Sequence, residues 1–215
     1  MKEAYIFDID DTLIHTNSHM YVYDNHSNLI DKINSRDYVH KRNMIHNFYY
    51  KNNYKVCSDE FGDDEDLSYS FLLNGHTLDE QLEILKKVMN KNHIDVYIVT
   101  GRANSQESIQ KLFQEKFNIH IQKSHIYPVS NKKIMNEVTE NIIQNYGENI
   151  QDFLSNGRNS ANFKKNSFFH ILSKNYNNVY FYDDDPNNIQ CFDHLVEDMN
   201  KNLSYSIVSH SFLIH

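Results

Sequence analysis

Three short apolar runs, each breaking off at residues able to hold an ion, constrain this chain more than any other feature. Residues 4–9 (AYIFDI) lead into Asp10 and Asp11. Residues 94–99 (IDVYIV) lead into Thr100-Gly101-Arg102, and residues 179–182 (VYFY) into Asp183-Asp184-Asp185. Runs this continuously apolar read as strands buried on both faces, the habit of parallel sheets. Amphipathic stretches lie between them. Leu78, Leu82, Leu85 and Met89 recur at helical spacing with Thr77 as the expected N-cap. Ile109, Leu112, Phe113 and Phe117 form a second stripe, opened by an Asn104/Glu107 capping box. A third helix is expected over about 163–174, and a fourth starts at Pro186 with Ile189, Phe192, Leu195, Val196 and Met199 inward. Alternation of buried strand and amphipathic helix predicts a parallel α/β sheet covered on both faces.

The length of 215 residues suits a single domain, 1–215, carrying small insertions. The first, 14–76, contains an expected hairpin: residues 21–23, a turn at Asp24-Asn25-His26, then residues 29–33. Its acidic run 59–66 reads as a solvated loop. Residues 119–126 are expected to supply a third strand and residues 203–208 a final one. Residues 130–160, with Ile134, Val138 and Ile142 at helical spacing and Gly147 and Gly157 as punctuation, read as a helix within a possible second insertion. A net charge of −8 gives no global attraction to duplex nucleic acid. No apolar run is long enough to span a bilayer, so no membrane partner is expected. With only Cys57 and Cys191 and no leader before the first strand, a reducing, cytoplasmic setting is expected.

Ligands of open parallel sheets bind beyond the carboxyl ends of the strands. An acid after a strand is often only a turn or cap residue, and Thr100-Gly101-Arg102 alone reads as a strand-to-helix turn. Asp8 is different, because it sits inside an apolar run between Phe7 and Ile9, where an unpartnered carboxylate is costly. If the three strand ends are neighbours, at least four carboxylates share one crevice and repel unless a cation neutralises them. Mg²⁺, which favours carboxylate oxygens, waters and phosphate, is the expected ion.

The segment Tyr5-Ile6-Phe7-Asp8-Ile9-Asp10-Asp11-Thr12-Leu13 strongly resembles the first motif, hhhDxDxT, of the haloacid dehalogenase superfamily. Ile98-Val99-Thr100-Gly101-Arg102 is similar to its second motif, and Tyr180-Phe181-Tyr182-Asp183-Asp184 to its acidic fourth. Lys164, 19 residues before Asp183, stands where the family's lysine belongs, with Lys165 in reserve. The segment around it is similar to polynucleotide-kinase 3′-phosphatase domains and related RNA-repair-like phosphatases. The resemblance implies a three-layer α/β/α, Rossmann-like core with a flap or small cap after the first motif. It implies a Mg²⁺-dependent phosphatase that forms an aspartyl-phosphate on a phosphorylated small molecule, a nucleotide or a phosphorylated nucleic-acid end. Asp8 would be the nucleophile and Asp10 the general acid and base. Asp8, the Asp10 carbonyl and Asp183 would hold the metal, with Asp184 as second choice and Asp185 as third. Thr100 and Gly101 would bind the phosphoryl oxygens, and Lys164 would neutralise them.

Other candidates carry less. Arg102 would grip the substrate or pair with acids at the margin of the site. His15 lies near the first motif, while the 13 histidines show no zinc spacing. Tyr21, Tyr23, Tyr49, Tyr50 and Tyr54 are expected to overhang the site. Two alternatives use similar residues: a receiver-like signalling module, which would place its metal acids first and its phosphorylated Asp later, and a non-catalytic binding protein of the same fold.

Overall fold

A computed structural model describes residues 2–154 and 160–215. In chain order the strands are β1 (Glu3–Phe7), β2 (Ile14–His15), β3 (His19–Tyr23), β4 (Leu29–Asn34), β5 (Lys55–Cys57), β6 (His76–Thr77), β7 (Ile94–Thr100), β8 (Ile126–Pro128), β9 (Asn178–Asp183) and β10 (Val208–Leu213). The α-helices are α1 (Ser35–Met44), α2 (Glu65–Asn74), α3 (Asp79–Met89), α4 (Gln106–Phe117), α5 (Lys132–Tyr146), α6 (Ser160–Leu172) and α7 (Pro186–Asn202).

The central sheet has five strands in the order β10-β9-β1-β7-β8, and every pairing is parallel. From β1 the chain builds outward to β7 and β8, then crosses back to β9 and β10, so the strand order reverses beside β1. Alternate side chains of each strand serve opposite layers. Ala4, Ile6, Tyr97, Val99, Val179 and Phe181 pack with residues of α5, α6 and α7 on one face. Phe7, Val96, Ile98 and Tyr182 pack with α2, α3 and α4 on the other. This is a three-layer α/β/α, Rossmann-like architecture.

Several sequence expectations shift. Thr77 does not cap α3. It pairs with Ile14 in β6, and Leu78 occupies the cap position without a side-chain bond. Ser105, not Asn104, caps α4 by accepting from the Ser108 N–H. The third strand is shorter and later than 119–126: Ile119 and Ile121 are buried in irregular backbone ahead of β8. The last strand begins at Val208, because Leu203 ends α7 and the left-handed Ser204 turns the chain first. The helix within 130–160 buries Val138 and Ile142 in the core, so as far as Tyr146 this stretch belongs to a main layer rather than an insertion. Gly157 lies outside the described residues.

The insertion after β1 is a small α+β cap. The expected hairpin is present as β3 and β4, and β5 joins β3 on its other edge. Val22, Ile33, Ile45 and Tyr49 give the cap its own small core. The acidic run is not a solvated loop throughout. It forms a 3-10 turn (Asp59–Phe61) and the start of α2, capped by Asp64. Glu60 is buried, accepting from the His19 N–H (2.6 Å) and the Tyr21 hydroxyl (2.8 Å). Among the described residues no helix is long and apolar enough to cross a membrane.

Candidate active site

Strand parity assembles the centre. Asp8 follows β1 in the positional set of Ala4 and Ile6, and Asp183 ends β9 in the set of Val179 and Phe181. Both sets face the layer containing α6. Phe7 pairs with Tyr182, and the Asp8 N–H donates to the Tyr182 carbonyl at 3.0 Å, which brings the two acids side by side. Lys164 on α6 reaches down between them, 3.0 Å from Asp8 Oδ2 and 2.7 Å from Asp183 Oδ2. Its ammonium is fully buried. Lys165 points elsewhere, close enough to Cys191 for its charge to act on that thiol.

The electrostatics leave this centre short of positive charge. Burial pushes the Asp8 carboxyl up to about 7, against the pull of Lys164 and helped by Asp183 and Asp10. Burial, then the charges of Asp183 and Asp8, pushes Asp184 up to about 9. Asp183 is likewise raised by burial, opposed by Lys164. Burial alone would lower Lys164, but the Asp183 and Asp8 carboxylates outweigh it and raise it. Asp183 has both oxygens engaged: Oδ2 by Lys164, and Oδ1 by the Asp185 N–H (2.8 Å) and the Asn188 amide (2.9 Å). Asp8 Oδ1, by contrast, is buried with no hydrogen-bond partner. Asp184 accepts no hydrogen bond among the described residues and faces the cavity.

Oxygens of Asp8, Asp183 and Asp184 lie within 4.8 Å of one another, the one group of three or more His, Cys, Asp or Glu ligands among the described residues. An orphaned carboxylate oxygen, an open carboxylate beside it and one cation against three acids suit a hard divalent ion. Of the fourth-motif acids, Asp184 has the open oxygens and Asp183 holds Lys164. Asp185 instead caps α7 by accepting from the Asn187 N–H. Asp10 lies outside the three-acid group.

The end of β7 corrects one expectation. Arg102 does not reach toward a substrate; it pairs with an acid, Asp10, as the other expectation had it, though from full burial rather than at the margin. It is fully buried with its whole fork engaged. Nε and Nη2 hold Asp10 bidentately at 2.9 and 2.7 Å, and Nη1 donates to the Glu60 carbonyl (2.8 Å) and Ser68 Oγ (2.7 Å). Nη2 also reaches Ser18 Oγ at 3.2 Å, and the Phe61 ring lies 5.1 Å from the guanidinium carbon. The Thr100 hydroxyl is buried, accepting from the Arg102 N–H at 3.4 Å, and does not line the cavity. Gly101 does line it, and a Cβ there would meet nothing within 4 Å, so its backbone borders open space.

The cavity above the acids has a volume of about 250 Å³. Its floor includes Asp8, Asp10, Lys164 and Asp184, and the cap contributes Met20, Tyr38, Ile45 and Phe61. The tyrosines expected to overhang the site do not line it. Tyr49 packs in the cap core, and Tyr21 is bonded to Glu60. Asp11, with φ 53°, ties the cap to the residues after β1 by hydrogen bonds with Ser35 Oγ (2.5 Å) and His15 and by an ion pair with Arg36. His15 is thus bonded to Asp11. Glu60, Ser68, Asn188 and Phe163 were not singled out by the sequence. Asn188 alone had a signal, standing one turn into the helix that follows the acids.

No family model matches the sequence, and no curated protein sequence matches it. Among solved structures, the Legionella pneumophila effector Ceg4 aligns over 99% of this chain and 87% of that chain, at 15% identity and a TM-score of 0.40.

Proposed function

We propose that this protein is a Mg²⁺-dependent phosphatase of the haloacid dehalogenase type, hydrolysing a phosphomonoester through an aspartyl-phosphate on Asp8. The observation that carries the reading is Asp8 Oδ1, a buried carboxylate oxygen without a partner beside an open cavity, with Lys164 fixing the other oxygen of the same group. An acceptor left unsatisfied in a packed interior costs about 1–3 kcal/mol. Retaining it makes sense where a ligand completes it.

Asp8, Asp184 and the Lys164-braced Asp183 are the residues that would hold the metal, which when bound would neutralise phosphoryl oxygens and the acids together. Asp8 attacks phosphorus, forming the carboxylate–phosphorus bond as the bond to the leaving oxygen breaks. The leaving oxygen takes a proton from Asp10. Asp10 then removes a proton from the water that attacks the aspartyl-phosphate, releasing inorganic phosphate and restoring Asp8. Asp10 lines the cavity with both oxygens held by the Arg102 fork, so carrying that proton requires one bond of the fork to open. Lys164 offsets the repulsion between the anionic nucleophile and the anionic substrate. The Gly101 backbone borders the space that phosphoryl oxygens would enter.

The test is release of inorganic phosphate from acetyl phosphate with Mg²⁺ and with EDTA. Wild type should turn over only with Mg²⁺. Asp8→Asn keeps the shape and removes the nucleophile, so it should lose on the order of 10³-fold or more. Asp8→Asn as active as wild type would reject the mechanism.

A further inference from the structure

We infer that the substrate is a small monoester with an apolar, single-ring leaving group, an inference that rests on the phosphatase reading above. The cavity is two-sided. Its floor is acidic, while Met20, Tyr38, Ile45 and Phe61 from the cap and Phe163 from α6, with Ser35, Ser58 and Asp63 between them, give the part above it a mainly apolar and aromatic wall. Apolar walls with a few convergent polar groups recognise an apolar body anchored by a polar end.

The described floor carries more acid than base. Among the described residues lining the cavity, Lys164 is the one cation, and it already bridges Asp8 and Asp183. Asp63 and Asp185 add further acids to the lining. Size suits a small body. A volume of about 250 Å³ falls below the roughly 300–1,000 Å³ that holds drug-sized ligands, leaving room for a phosphate and about one ring. Phe163 is 37% exposed, so it stands at the opening, positioned to cover a ring as it enters.

The probe must separate pocket preference from leaving-group reactivity. Benzyl phosphate and glycerol 3-phosphate both release a primary alcohol, and differ in the apolar ring. With Mg²⁺, kcat/KM for benzyl phosphate should exceed that for glycerol 3-phosphate by on the order of 10-fold or more, as one buried apolar group allows. Phe163→Ala should reduce that ratio several-fold, chiefly through KM, and its partly exposed position leaves the fold intact. A ratio near one, or AMP or a 3′-phosphorylated oligonucleotide matching benzyl phosphate, overturns the inference. Acetyl phosphate hydrolysis that is lost in Asp8→Asn would then still uphold the phosphatase reading. No hydrolysis of acetyl phosphate would remove that reading and this inference with it.

Discussion

Replacing Arg102 should cost this protein more stability than replacing any exposed charge on it. The guanidinium is wholly buried, pairs with Asp10 through two bonds, and donates to a carbonyl and hydroxyls of the cap. Arg102→Met fills much of the volume but leaves the Asp10 carboxylate and the Glu60 carbonyl without their donor. Breaking a buried ion pair from one side costs about 3–5 kcal/mol. For a chain of 215 residues, at roughly 2–4 °C per kcal/mol, that is a fall in Tm of roughly 6–20 °C. Urea unfolding followed by circular dichroism measures it. A double-mutant cycle with Asp10→Asn isolates the pair, because the neutral amide no longer strands a charge. The coupling should be on the order of 1–3 kcal/mol. Arg102→Met within about 1 kcal/mol of wild type, or a cycle that closes additively, would show that the fork is not a structural tie between first motif and cap.

Two further outcomes follow from the acids. Asp8 and Asp184 hold their protons up to about 7 and about 9, whereas an unfolded carboxyl releases its proton near 4. Folding therefore takes up protons between those values, so in EDTA stability should fall as pH rises from about 4 to about 9. An ion held by these acids, as proposed, would compete with those same protons, so stabilisation by Mg²⁺, read as a shift in Tm, should be larger at pH 8.5 than at pH 5.5; an equal shift at both would count against that site. Asp185→Ala removes the N-cap of α7 and should cost about 1 kcal/mol in urea unfolding, and no change would mean that Pro186 alone sets the helix start.

The core and the acidic centre were legible because period-2 and period-3.6 patterns were strong there. Asp8 stood out inside an apolar run, and the same alternation that buries Ile6 and Phe181 turns Asp8 and Asp183 toward α6. The 19-residue gap to Lys164 then closes in space as a 2.7 Å contact. What failed was local. Ile119 and Ile121 look like a strand but are buried without a ladder, and only the short β8 pairs with β7. Thr77 had the chemistry of an N-cap, but its backbone was drawn into pairing with Ile14. Arg102 beside a glycine read either as a ligand grip or as a partner for nearby acids. Besides Asp10, its partners Ser18, Glu60 and Ser68 are separated from it by 84, 42 and 34 residues, a closure that no local pattern announces. Glu60 was hidden in a run of acids whose other members are solvated.

The ladder of β2 with β6 consists of two residue pairs, Ile14 with Thr77 and His15 with His76. It clasps the chain where the cap departs from the sheet and where it returns, holding those two points one strand spacing apart, about 4.8 Å. Whatever is threaded between Thr16 and Gly75 therefore hangs from a neck whose width is set by the sheet rather than by its own contents. Not all of it is free to change, since α2 carries Leu72 into the core layer and Ser68 to Arg102; the part ahead of it, β3 to β5, is what could be remade to alter the ceiling above Asp8, Lys164 and Asp183 while that packing stays in place.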